Sequence, residues 1–94
     1  MEQVYCIKLA GDDELIAKLI EDPEVNDALV VKDVFSIGLQ QIGPNEVGVG
    51  MMPWLVGNHS ATVNIAFAHI VTTYAPNDQL EKAYRQKTTS IQLI

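Results

Sequence analysis

Two histidines, one cysteine and six aromatic residues (Trp54, Tyr5, Tyr74, Tyr84, Phe35 and Phe67) are the side chains through which this chain could do chemistry. His69 stands in Phe67-Ala68-His69-Ile70-Val71-Thr72-Thr73-Tyr74-Ala75-Pro76, two residues after an aromatic and just before an apolar, β-branched run. At a corner of the chain an imidazole can stack on a base or hydrogen-bond its edge, the usual way of reading single-stranded RNA. The competing use is structural, with the ring satisfied by backbone at a subunit interface. Asn26 lies in the acidic turn Asp22-Pro23-Glu24-Val25-Asn26-Asp27 and can donate to a base, although Asx residues in turns mostly bond their own backbone. Trp54 follows Pro53 and is flanked by Met51-Met52 and Leu55-Val56. It offers a stacking platform or an assembly contact, and on an acidic chain the assembly contact is preferred.

The remaining reactive residues point away from catalysis. His59, between Asn58 and Ser60, has no partner at metal-ligand spacing, so no metal is expected. Cys6 beside Tyr5 reads as core, and no motif supports a Cys-His dyad. Asp12, Asp13 and Glu14, like Asp22, Glu24 and Asp27, sit in turns and read as solvated rather than as paired catalytic carboxylates. There is no phosphate loop and no dinucleotide fingerprint. The expectation is a protein that is not an enzyme and carries no cofactor.

Twelve acidic and six basic residues leave a net charge of −6, too few cations to coat nucleic acid by electrostatics alone. Lys82, Arg85 and Lys87 cluster late in the chain and are the candidate phosphate contacts. Between Asp33 and Asp78 the one charged residue is Glu46. A middle so neutral is expected to face another subunit in part. The 94 residues suit one domain, 1–94, with one core. No apolar run approaches the roughly 18 residues of a membrane span, and Met1-Glu2-Gln3 does not read as a signal peptide. With one cysteine and so no internal disulfide, a cytoplasmic protein without membrane contact is expected.

The elements that must position these residues are mostly strands. Val4 to Leu9 is β-rich, and Ala10-Gly11-Asp12-Asp13 is a turn in which Gly11 is free to take positive φ. Glu14 to Glu21 has the apolar spacing of a helix at Leu15, Ile16, Leu19 and Ile20. It is short, lies between two turn signals and precedes an obvious strand, so it is read as a strand. Ala28 to Gln41 carries the strongest strand signal, with a bulge or bend expected at Gly38. Gly43-Pro44-Asn45-Glu46 is a hairpin turn, and Val47 to Leu55 returns with Pro53 marking an edge or bulge. Thr62 to Phe67 forms a strand that turns at Ala68-His69 into a last strand from Ile70 to Tyr74. A helix over 78–88 follows, with Asp78 as cap, Glu81 completing a capping box, and Leu80, Ala83 and Tyr84 on the packed face. The tail 89–94 is apolar and is expected to pack on something.

Two stretches resemble the Sm-like superfamily, the small bent barrels that assemble into rings. Gly11, Glu14-Leu15-Ile16-Ala17-Lys18-Leu19, the acidic turn and Leu29-Val30-Val31-Lys32-Asp33 are similar to that family's first motif. Phe67, His69, Ile70, Val71, Thr72, Thr73 and Pro76 resemble the second motif of the Hfq-type bacterial RNA chaperones. Three features depart from the pattern. Ala68 stands where RNA-binding members place a basic residue, Asn26 is the one base-binding loop residue retained, and the helix follows the barrel instead of preceding it. A helix in that position most resembles Sm-like proteins of phage origin.

The resemblance implies an all-β fold, a strongly bent Sm-like (SH3-like) barrel of five or six strands over about 4–75 with one C-terminal helix. It implies a closed homo-oligomeric ring, with Ile70, Val71, Thr72, Thr73 and Trp54 at the interface. It further implies binding of single-stranded RNA or DNA through His69, Asn26, Phe67 and Ala68, and a role in RNA or DNA processing. The alternative is a protein-interaction module that keeps the barrel and has lost the RNA pocket.

Overall fold

The computed structural model describes residues 3–20, 27–58 and 60–92, the last three by backbone alone. The chain forms β1 (Val4–Leu9), β2 (Glu14–Leu19), β3 (Ala28–Gly43), β4 (Glu46–Pro53), β5 (Val63–Ala66), a 3-10 turn (Phe67–His69), β6 (Ile70–Tyr74) and α1 (Asp78–Gln92). All strand pairs are antiparallel, in the order β4-β3-β2-β1-β6, and β5 also pairs β3. The result is a small all-β, strongly bent, barrel-like sheet with one C-terminal helix.

β3 is the spine of this sheet. Its first residues, Ala28 to Val31, pair β5, and Phe35 to Gly43 pair β4, while Val31 to Ser36 pair β2 on the opposite edge. The bend comes at Asp33, which takes the left-handed conformation at φ 51°. In the β2–β3 register Ile16 faces Phe35 but Lys18 faces Lys32, so β3 carries one extra residue there. That bulge reverses the alternation. Leu29 and Val31 point into the first core before it, Val34 does so after it, and Phe35 is sent to the opposite face. The bulge is therefore at Asp33-Val34 and not at Gly38, which pairs Gly50 in regular register. Similarly, the left-handed residue of the β1–β2 turn is Asp12, at φ 72°, and not Gly11.

Glu14–Leu19 is a strand, as its setting required, and both its faces are covered. Leu15 and Ala17 enter one core and Ile16 the other, which is why its apolar residues do not alternate along the sequence. The first core, enclosed by the bent sheet, joins Ile7, Leu15, Ala17, Leu29, Val31, Val34 and Ile65. The second, under α1, joins Val4, Cys6, Ile16, Phe35 and Tyr84.

Tyr84 anchors the helix. Its ring meets Phe35 edge-on at 5.9 Å, and its hydroxyl donates to the Asp33 carbonyl at 2.7 Å. Lys18 Nζ lies 3.3 Å from Asp33 Oδ2 in a buried ion pair and 5.9 Å from the Tyr84 ring centre. The cap is Asn77, not Asp78: Asn77 Oδ1 accepts from the Leu80 N–H at 2.8 Å. Glu81 pairs with Arg85 instead of closing a capping box. Ala83 is exposed, and Thr88 takes the buried position one turn after Tyr84. The helix continues through Gln92, so residues 89–92 are helical and the rest of the apolar tail lies outside the described residues.

Candidate functional site

His69 closes the 3-10 turn between β5 and β6, the corner expected for it. Two backbone hydrogen bonds hold that corner. The Phe67 N–H donates to the Asp27 carbonyl at 3.0 Å, and the Ala10 N–H donates to the His69 carbonyl at 2.9 Å. The corner is thereby tied both to the end of the acidic turn and to the β1–β2 turn, while Phe67, Ala68 and His69 remain exposed. Asn26 lies outside the described residues, as does His59.

Beside the corner is an open cleft of about 390 Å3 lined by Trp54, Asn64, His69 and Asp13 together with Leu9 to Gly11 and the end of β5. Trp54 is half-buried, packs against the first core and donates its backbone N–H to the Val34 carbonyl at 3.0 Å. Asn64 is exposed between the inward-facing Val63 and Ile65. An aromatic ring, an imidazole, an amide and a carboxylate around a shallow apolar floor can together stack on a planar ring and hydrogen-bond its edge. Asn64 and Asp13 carried no functional signal in the sequence. The period-two pattern of Val63 to Ala66 was the one available hint that Asn64 leaves the core.

The other expected residues are dispersed. Arg85 Nε is 3.0 Å from Glu81 Oε2, Lys87 Nζ lies 6.0 Å from the Phe35 ring centre, and Lys82 is exposed. None of the three lines the cleft. Ile70 packs on the first core, while Val71, Thr72 and Thr73 are exposed along β6, which pairs only β1 among the described strands.

A second cluster joins residues whose sequence setting marks them as a solvated acid and core. Glu14 is half-buried and accepts a hydrogen bond from the Tyr74 hydroxyl. Cys6 is fully buried beside them. Burial pushes the thiol pKa upward; its hydrogen bond with Tyr74 opposes this and the Glu14 charge adds to it, so a thiolate nucleophile is disfavoured. Among the described residues no three His, Cys, Asp or Glu side chains are grouped to hold a metal, and no helix is long and apolar enough to cross a membrane. In comparison with known proteins, no family model matches the chain, and no curated protein matches it either.

Proposed function

We propose that this protein is a ring-forming, Sm-like barrel that binds single-stranded nucleic acid, RNA in the first instance, and serves in RNA or DNA processing without being an enzyme. The observation that carries this reading is the exposed Phe67–His69 corner, tied by backbone to Asp27 and bordered by the Trp54–Asn64 cleft. A bent sheet in which a 3-10 turn separates the last two strands supports the Sm-like assignment. With a net charge of −6, affinity must come from stacking and base-edge hydrogen bonds more than from phosphates.

The alternative, an assembly module without an RNA pocket, is favoured by Ala68 at the position where a cation is expected and by the engagement of Arg85 with Glu81. Fluorescence anisotropy with uridine, adenine and deoxythymidine homopolymers at two salt concentrations separates the two. Stacking on one base contributes roughly 1–3 kcal/mol, so His69→Ala should weaken RNA binding at least severalfold while leaving the oligomer intact. Ala68→Lys should strengthen binding and steepen its salt dependence, because one more phosphate contact releases one more counterion. No affinity of the wild-type protein for any strand at low salt decides for the assembly module.

A further inference from the structure

A second cleft, of about 410 Å3, crosses the sheet from Val49 on β4, past Leu39 on β3 and Glu14 on β2, to Tyr74 on β6, with Leu80 of α1 on its wall. Its apolar lining is unusually open to solvent: Leu39 is 83% exposed and its cross-strand partner Val49 is 53% exposed. Apolar surface gathered in a concavity of this kind marks an interaction site more often than scattered apolar side chains do.

The charged part of the lining has one sign. Asp12 and Glu14 both contribute, and among the described residues no cation lies within ion-pair distance of either carboxylate. Lys8 is the cross-strand partner of Glu14, but its ammonium donates to the Asp12 carbonyl oxygen at 3.2 Å. The Tyr74 hydroxyl, by donating to Glu14 Oε2, holds that carboxylate at the cleft.

We propose that this cleft docks a segment of a partner protein in which a Lys or Arg side chain lies beside apolar ones, the cation meeting Asp12 and Glu14 and the apolar groups covering Leu39 and Val49. Charge complementarity selects this occupant. A nucleic-acid backbone or an anionic lipid surface would bring negative charge to two carboxylates. A second copy laid on the cleft by its exposed apolar hairpin or by β6 would bring no cation with it, because residues 34–77, which include both, contain no Lys or Arg. The proposal is independent of the nucleic-acid reading, which uses the opposite side of the β1–β2 turn and the His69 corner.

The test is fluorescence anisotropy with labelled heptapeptides in which one Arg or Lys is flanked by Leu and Val in each order, against the same peptides with Glu replacing the cation. Binding is mapped by methyl and amide chemical shifts. The expected result is that at least one cationic peptide binds and that its Glu counterpart binds at least about tenfold more weakly. Shifts should concentrate at Ile37, Leu39, Val49 and Leu80. The double variant Asp12→Asn, Glu14→Gln should lose about tenfold, and Leu39→Asp, a substitution at an exposed position, should abolish binding without unfolding the protein. Equal affinity for cationic and acidic peptides, shifts confined to other surfaces, or no binding by any cationic peptide overturns the proposal. So does a peptide-free self-association that Leu39→Asp abolishes, since the cleft would then belong to a second copy.

Discussion

Tyr74 ends β6 with its hydroxyl on the Glu14 carboxylate and the Cys6 thiol behind it. Tyr74 and Cys6 share a consequence for pH. Tyr74 is 41% exposed, but partial desolvation of its hydroxyl raises its pKa above the ordinary 10.0, and the hydrogen bond to Glu14 and the neighbouring thiol raise it further. Burial likewise raises Cys6 above its ordinary 9.0. For both groups the neutral form is the one the fold favours, so the folded state holds these protons more tightly than the unfolded chain does. That contribution is fully present below pH 9 and is lost as pH rises through the unfolded values and on towards the folded ones. Urea unfolding should therefore show stability declining above pH 9, with Cys6 contributing first and Tyr74 above pH 10. Tyr74→Phe should remove Tyr74's own share of the decline above pH 10, while the Cys6 share persists and, without the Tyr74 hydrogen bond that opposes its upward shift, extends to higher pH. An unchanged profile in Tyr74→Phe would assign the alkaline loss to other groups. None of this was visible in the sequence, where Glu14 and Tyr74 are sixty positions apart and meet only because β2 and β6 both flank β1.

At the level of elements, most strands were legible because turn signals bound them, and the ambiguous Glu14 segment was resolved by its neighbours rather than by its own periodicity. The bulge was not legible. Gly38 looked like the place where a barrel must bend, yet the bend falls on an aspartate that needs two partners to hold it. A left-handed residue other than glycine costs about 1–2 kcal/mol, and here Lys18 and the Tyr84 hydroxyl offset it. Those contacts also join α1 to the bulge of β3, so the residue that bends this strand also seats the helix. Asp33→Ala keeps the unfavourable φ and strands the buried Lys18 ammonium, for which a loss of about 3–5 kcal/mol is expected. Asp33→Gly, Lys18→Met relieves the backbone and removes the orphaned charge, and should cost clearly less. Denaturant midpoints at constant slope measure both. If Asp33→Ala cost no more than the double variant, the ion pair would not be what holds the bulge. The cap lies one residue before Asp78: Asn77 and Asp78 are both good capping residues, and it is Asn77 that accepts from the Leu80 N–H.

For the whole molecule, the issue is where so much uncharged surface goes. Leu39, Ile42, Val47 and Met52 are exposed on the hairpin and Val71 on β6, in keeping with the charge-poor middle of the sequence. Three strands, β4, β5 and β6, each pair only one neighbour among the described residues. Such edges invite pairing with another chain. On the ring reading, the outer edge of β6 pairs with a neighbouring subunit, and closure leaves no edge of that kind free. Val71 is the place to test it. It is 65% exposed on β6 and contributes to neither core cluster, so Val71→Lys should leave the fold of the monomer unchanged by circular dichroism. A lysine on that edge places an unpaired charge where the neighbour's strand would sit, and the assembly should dissociate. Multi-angle light scattering should give a single closed oligomer for the wild-type protein at micromolar concentration and a monomer for the variant. A monodisperse wild-type monomer removes the ring. A wild-type oligomer that survives Val71→Lys but not Leu39→Asp would instead place the subunit contact on the hairpin, and would overturn the peptide-docking assignment of that cleft at the same time.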